Sequence, residues 1–102
     1  MNKSIALGTL ALALSAPAWA NLALAQKNAC SSCHAVERKL LGPSYVDIAK
    51  RYTDQTDAEA TLAKSIKAGG AGKWGPVPMP AQPAVSEADA KTLAAWILGG
   101  AK

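Results

Sequence analysis

Past residue 20 the apolar positions fall into short helical patterns separated by glycine and proline, and no stretch alternates with period two long enough to make a strand. From Asn21, Leu22 and Leu24 lead through Ala25, Gln26 and Lys27 to Ala29, enough for one or two helical turns. Gly42-Pro43 breaks the chain after Leu40-Leu41, and Ser44 then stands as the N-cap of a helix running to about Tyr52. Tyr45, Ile48 and Tyr52 share one face of it. Thr56-Asp57-Ala58-Glu59 reads as a capping box opening a third helix, with Leu62, Ala63 and Ile66 as its apolar face and Gly69-Gly70 as its stop. Gly72 to Pro83 carries prolines at 76, 78, 80 and 83 and is excluded from helix. Ser86-Glu87-Ala88-Asp89 opens the last helix, Leu93, Trp96 and Ile97 make its stripe, and Gly99-Gly100 closes it. The pattern predicts an all-α fold, three or four short helices around one core with one long irregular loop.

The first 20 residues follow a different rule. Lys3 supplies a positive start, Ile5 to Leu14 is an apolar run, and Ala18-Trp19-Ala20 has the small-x-small form of a signal-peptidase site. Ser15 and Pro17 interrupt the run well before the roughly 20 apolar residues a spanning helix needs. Residues 1–20 are therefore expected to be a leader cut after Ala20, and 21–102 a single exported domain. Removing 1–20 from the 102-residue chain leaves 82 residues and takes away Lys3 alone, lowering the formal charge from +4 to +3. That surplus is too diffuse for a nucleic-acid footprint, which needs clustered Lys and Arg with aromatic residues between them. It suits weak steering toward an acidic partner. A domain this small generally needs a staple, and with no Phe and two Cys the core must be filled by something else.

Cys30-Ser31-Ser32-Cys33-His34 supplies that filling, because it has the form of the attachment sequence for c-type haem. Two thiols three positions apart can add to the two vinyl groups of a porphyrin as thioethers, and the adjacent His34 then falls under the iron as proximal ligand. Three plainer readings compete. A redox dithiol of the thioredoxin kind sits between a strand and a helix, and no such strand is visible. A structural zinc site wants four Cys or His, and residues 21–102 hold three. A disulfide across so short a segment closes too small a loop to stabilise much.

The sixth coordination position has few candidates. His34 is the sole histidine, so bis-histidine ligation within the chain is impossible and a methionine, a lysine or an open site remains. Met1 goes with the leader, which leaves Met79 in Val77-Pro78-Met79-Pro80. A core methionine is the plain alternative. Flanking prolines hold Met79 in extended backbone, however, and present its side chain in a fixed direction. A metal centre of His34 and Met79 leaves no room for oxygen or peroxide and favours ferrous iron, as an electron carrier requires. An open sixth site would instead suit a haem enzyme or ligand-binding protein.

These residues resemble the small bacterial class I cytochromes of the c-551 and c-552 group across essentially all of 21–102. The likeness includes Leu41-Gly42-Pro43-Ser44-Tyr45, Asp47-Ile48-Ala49-Lys50, Ile66-Lys67 and, most specifically, Lys73-Trp74-Gly75-Pro76-Val77-Pro78-Met79-Pro80. The resemblance implies the cytochrome c fold, three to four helices wrapped around one haem c attached at Cys30 and Cys33, with the distal ligand on the Pro/Gly-rich loop. It implies that the Pro43 carbonyl accepts the proton-bearing nitrogen of the proximal histidine and that the Trp74 indole donates to a haem propionate. Two departures stand out: Ser65 occupies a position where some members place an arginine near a propionate, and the segment Ala81-Gln82-Pro83-Ala84 looks one residue longer than usual. Gln82 is a candidate for the side-chain amide that touches the methionine sulfur. The expected protein is a non-enzymatic, monomeric periplasmic carrier, with Lys39 and Lys73 among the lysines around the haem edge. Its implied partners are a cytochrome bc complex as donor and a terminal oxidase, nitrite reductase or peroxidase as acceptor.

Overall fold

The structure, a computed structural model, describes residues 18–102, with side chains from residue 21 onward. Residues 1–17, the greater part of the expected leader, lie outside the described residues. Four helices follow in order: α1 Ala18–Lys27, α2 Tyr45–Arg51, α3 Ala58–Ala68 and α4 Glu87–Leu98. Among the described residues there is no strand, only two isolated bridges, His34 with Lys39 and Gly70 with Met79. The all-α expectation holds.

The last helix is the organiser. α4 packs against each of the other three and buries Ala90, Leu93, Ala94, Trp96 and Ile97. Facing it are Ala25 from α1, Tyr45 and Ile48 from α2, and Leu62, Ala63 and Ile66 from α3. The spacings of three and four put each set on one side of its helix.

Two helix starts follow the sequence closely. Ser44 and Ser86 both have extended backbone, and their hydroxyls accept from the N–H of Asp47 at 3.1 Å and of Asp89 at 3.0 Å. Ser44 is also buried, so Ser44→Ala removes the capping acceptor from a packed site. Ser44→Ala is expected to cost about 1 kcal/mol, read as a lower midpoint in urea at unchanged slope.

The third start differs from expectation. Asp57 is the N-cap residue of α3, its backbone is not extended, and its side chain makes no capping bond. The Gln55 amide donates to Asp57 Oδ1 at 3.4 Å and to Thr61 Oγ1 at 3.2 Å. With Asp57 rather than Thr56 as N-cap, Glu59 falls at the second helical position instead of the third, so the capping box read from Thr56 to Glu59 does not form.

Between α1 and α2 the chain turns on Ala29, a non-glycine residue in left-handed geometry (φ 61°), into a 3-10 turn at Cys30–Ser32. The loop that follows is tied back on itself. Gly42 N donates to Cys33 O at 2.8 Å, Tyr45 N to Ala35 O at 3.0 Å and Val46 N to Val36 O at 3.1 Å. These bonds bring Gly42 and Pro43 back to the side chain of His34.

Candidate functional site

One cavity of about 350 Å³ opens among the 3-10 turn, α2, the end of α3, α4 and the loop after α3. All six residues singled out in the sequence line it: Cys30, Cys33, His34, Pro43, Trp74 and Met79. The rest of the wall is mainly apolar, which suits a large flat hydrophobic group with a few fixed polar anchors.

The histidine is held on three sides of its chemistry. Its Nδ1 lies 2.6 Å from the Pro43 carbonyl oxygen. A carbonyl can only accept, so Nδ1 carries the proton and Nε2 keeps its lone pair for a metal. The Tyr45 ring stacks on the imidazole at 5.5 Å between centroids and 26° between planes. Gly42 packs so close that a Cβ there would stand 2.5 Å from His34 Cε1. Burial, reinforced by the nearby Cys30 sulfur, pushes the Tyr45 hydroxyl up to about 12, so the ring beside His34 stays a neutral phenol.

Cys30 and Cys33 both stand as free thiols at the cavity. Burial is the main reason the Cys30 thiol titrates above its ordinary value. Among the described residues no group of three or more His, Cys, Asp or Glu comes together as a metal site, so the zinc reading finds no ligand set there.

Met79 reaches the cavity from the proline-rich loop, and that loop is anchored where the sequence suggested only a helix stop. Gly70 N donates to Met79 O at 3.0 Å and Met79 N to Gly70 O at 2.8 Å. Gly69 makes this pairing possible, because its φ of 70° is left-handed and a Cβ on it would meet the Met79 carbonyl at 2.4 Å. Met79 is half-buried and stands outside the main core cluster. Gly69→Ala is expected to cost on the order of 2 kcal/mol or more in thermal unfolding, since strained backbone and steric overlap act together.

Further positions sharpen the picture. Ser65 lines the cavity, and the Gln82 amide donates to the Pro80 carbonyl at 3.5 Å. Arg51, which no sequence pattern singles out, lays its guanidinium 4.4 Å from the centre of the Trp74 ring and donates to the Lys73 carbonyl at 2.5 Å. Nothing in sequence spacing joins positions 51 and 74.

A helical chain folded round a thiol-bearing, apolar cavity with a poised imidazole is, in class, a c-type haem protein. Comparison with known proteins gives the family. The sequence profile of the family "Cytochrome c" matches residues 22–101. The chain is 50% identical over 99 residues to cytochrome c-552 of Nitrosomonas europaea, covering 94% of this chain and 96% of that protein. It is 46% identical over 96 residues to cytochrome c-551 of Pseudomonas aeruginosa, covering 92% and 88%. The crystal structure of wild-type Nitrosomonas europaea cytochrome c552 superposes with a TM-score of 0.75 at 52% identity, over 76% of this chain and 96% of that one. The protein belongs to the cytochrome c family. It is a small class I electron-transfer cytochrome that binds covalent haem c, and it works with redox partners rather than as an enzyme.

Proposed function

We propose that the haem is joined by thioethers to Cys30 and Cys33, is ligated axially by His34 Nε2 and the Met79 sulfur, and serves as a periplasmic one-electron shuttle. The observation that carries the reading is the meeting of Cys30, Cys33, His34 and Met79 on one cavity, with the other imidazole nitrogen already engaged by Pro43. When bound, the haem supplies a couple between ferric and ferrous iron.

The chain's own residues hold that couple in place. Pro43 fixes the tautomer and ring orientation of His34 and raises its basicity. Gly42 and Tyr45 confine the ring, and the Gly70 pairing with the prolines keeps Met79 from moving away. Held by both His34 and Met79, the iron would exchange an electron with little rearrangement of the protein around it. Trap and carrier are then one structure.

Leu41 and Val77 line the cavity and are 63% and 56% exposed, which supports an uncharged contact patch at the haem edge. Lys39 and Lys73 add positive charge for steering an acidic face. Family likeness makes a cytochrome bc complex the donor, and a terminal oxidase, nitrite reductase or peroxidase the acceptor. Export follows from the leader pattern of residues 1–20, with cleavage after Ala20 and a monomeric product. No helix among the described residues is long and apolar enough to cross a membrane.

Voltammetry and ligand titration on the purified holoprotein test the reading together. A reversible one-electron wave and a ferrous form that does not take up carbon monoxide are expected. Rapid carbon monoxide or peroxide binding by the unaltered protein would instead place it with open-site haem proteins.

A further inference from the structure

The cavity wall is almost without charge, and its one exception has a consequence. No Asp, Glu or Arg lines it, and Lys73 is its single formally cationic side chain. Haem carries two carboxylates, and an ionised carboxylate against an apolar wall is costly unless a cation or strong donor meets it. Cys30 and Cys33 lie on the 3-10 turn, whereas Lys73 lies on the loop after α3 and is held against the end of α2.

The surroundings of Lys73 are built to hold it. Its ammonium lies 4.4 Å from the centre of the Tyr52 ring and donates to the Tyr52 hydroxyl. Tyr52 is 3% exposed and lines the same cavity. Arg51, one residue earlier on α2, bonds the Lys73 carbonyl and stacks on Trp74. The last residue of α2 and its C-cap, Arg51 and Tyr52, therefore grip two consecutive loop residues. One of the three ammonium donors is used on Tyr52, which leaves two for a ligand.

We propose that Lys73, positioned by Tyr52 and Arg51, binds a haem propionate carboxylate and is the counter-charge of the site. This rests on haem occupying the cavity as described above. The Trp74 indole shares that end of the pocket. Ser65, which also lines the cavity, is uncharged and offers no rival cation. The titratable groups in contact with Lys73 are Arg51, at the end of α2, and Tyr52, its C-cap residue.

A positive charge here favours the ferrous state and keeps the propionate ionised. The test compares unaltered, Lys73→Gln and Lys73→Arg holoproteins by haem content, the propionate bending mode in resonance Raman spectra, and reduction potential against pH. Lys73→Gln is expected to shift the propionate mode, to lower the potential, and to move the redox-linked inflection up by about one to three pH units. Lys73→Arg restores the inflection, which a purely structural lysine would not require. An unchanged Raman mode and pH profile in Lys73→Gln, with covalent haem intact, overturns the assignment of Lys73 alone. Absence of covalent haem from the unaltered protein overturns both this inference and the reading beneath it.

Discussion

On the proposed ligation by His34 and Met79, Met79→Ala is expected to remove the weak absorption band that arises from sulfur-to-iron charge transfer, to open the ferrous centre to carbon monoxide, and to lower the reduction potential. The fall is expected to be on the order of 0.2 V, a fraction of the ~0.8 V that axial ligands span. A neutral thioether stabilises ferrous iron, and residues 21–102 hold no second methionine or histidine to take its place. Folding should suffer less than ligation, because Met79 stands outside the main core cluster. Visible spectra, carbon monoxide titration and voltammetry of the variant are the measurements. An unchanged spectrum would remove Met79 from the iron.

Gly42→Ala produces the second large effect, and it does so from outside the cofactor. The new Cβ would lie 2.5 Å from Cε1 and 2.9 Å from Nδ1 of His34, well inside contact distance. The imidazole must move, and its bond to the Pro43 carbonyl goes with it. Overpacking of this kind costs about 3 kcal/mol, equivalent to roughly 12–24 °C in the melting temperature of a domain this size. Pro43→Ala is the informative partner experiment. It keeps the carbonyl that accepts from Nδ1, so its effect should be much smaller than that of Gly42→Ala.

How far the sequence carried the account depends on the separation of the parts. Cys30, Cys33 and His34 are neighbours, so their joint chemistry could be read directly. Ser44 and Ser86 lie beside the helices they cap and were equally legible. Thr56 to Glu59 offered the same kind of local signal and misled, because α3 starts one residue later, with Asp57 as its N-cap. Residue types alone do not separate the two registers, since Thr and Asp are both good N-caps.

Contacts across the fold were the hidden part. Gly69-Gly70 reads as a helix stop, yet it is also the seat on which the Met79 backbone pairs. Arg51 on Trp74 and Lys73 on Tyr52 join residues 21 to 23 positions apart. Both depend on how α2 and the proline-rich loop meet, which periodicity does not encode. Gly42 was visible as half of a turn signal, but its closeness to the imidazole follows only from the loop folding back on Cys33.

The axial pair is tested most directly by the proton NMR spectrum of the ferrous holoprotein. A methionine methyl bound at the iron lies over the porphyrin and is carried far upfield by its ring current. Ligation by Met79 predicts one such resonance, assigned to Met79 by its loss in Met79→Ala. A Met79 methyl at the ordinary methionine position, in protein with haem covalently attached, would contradict it.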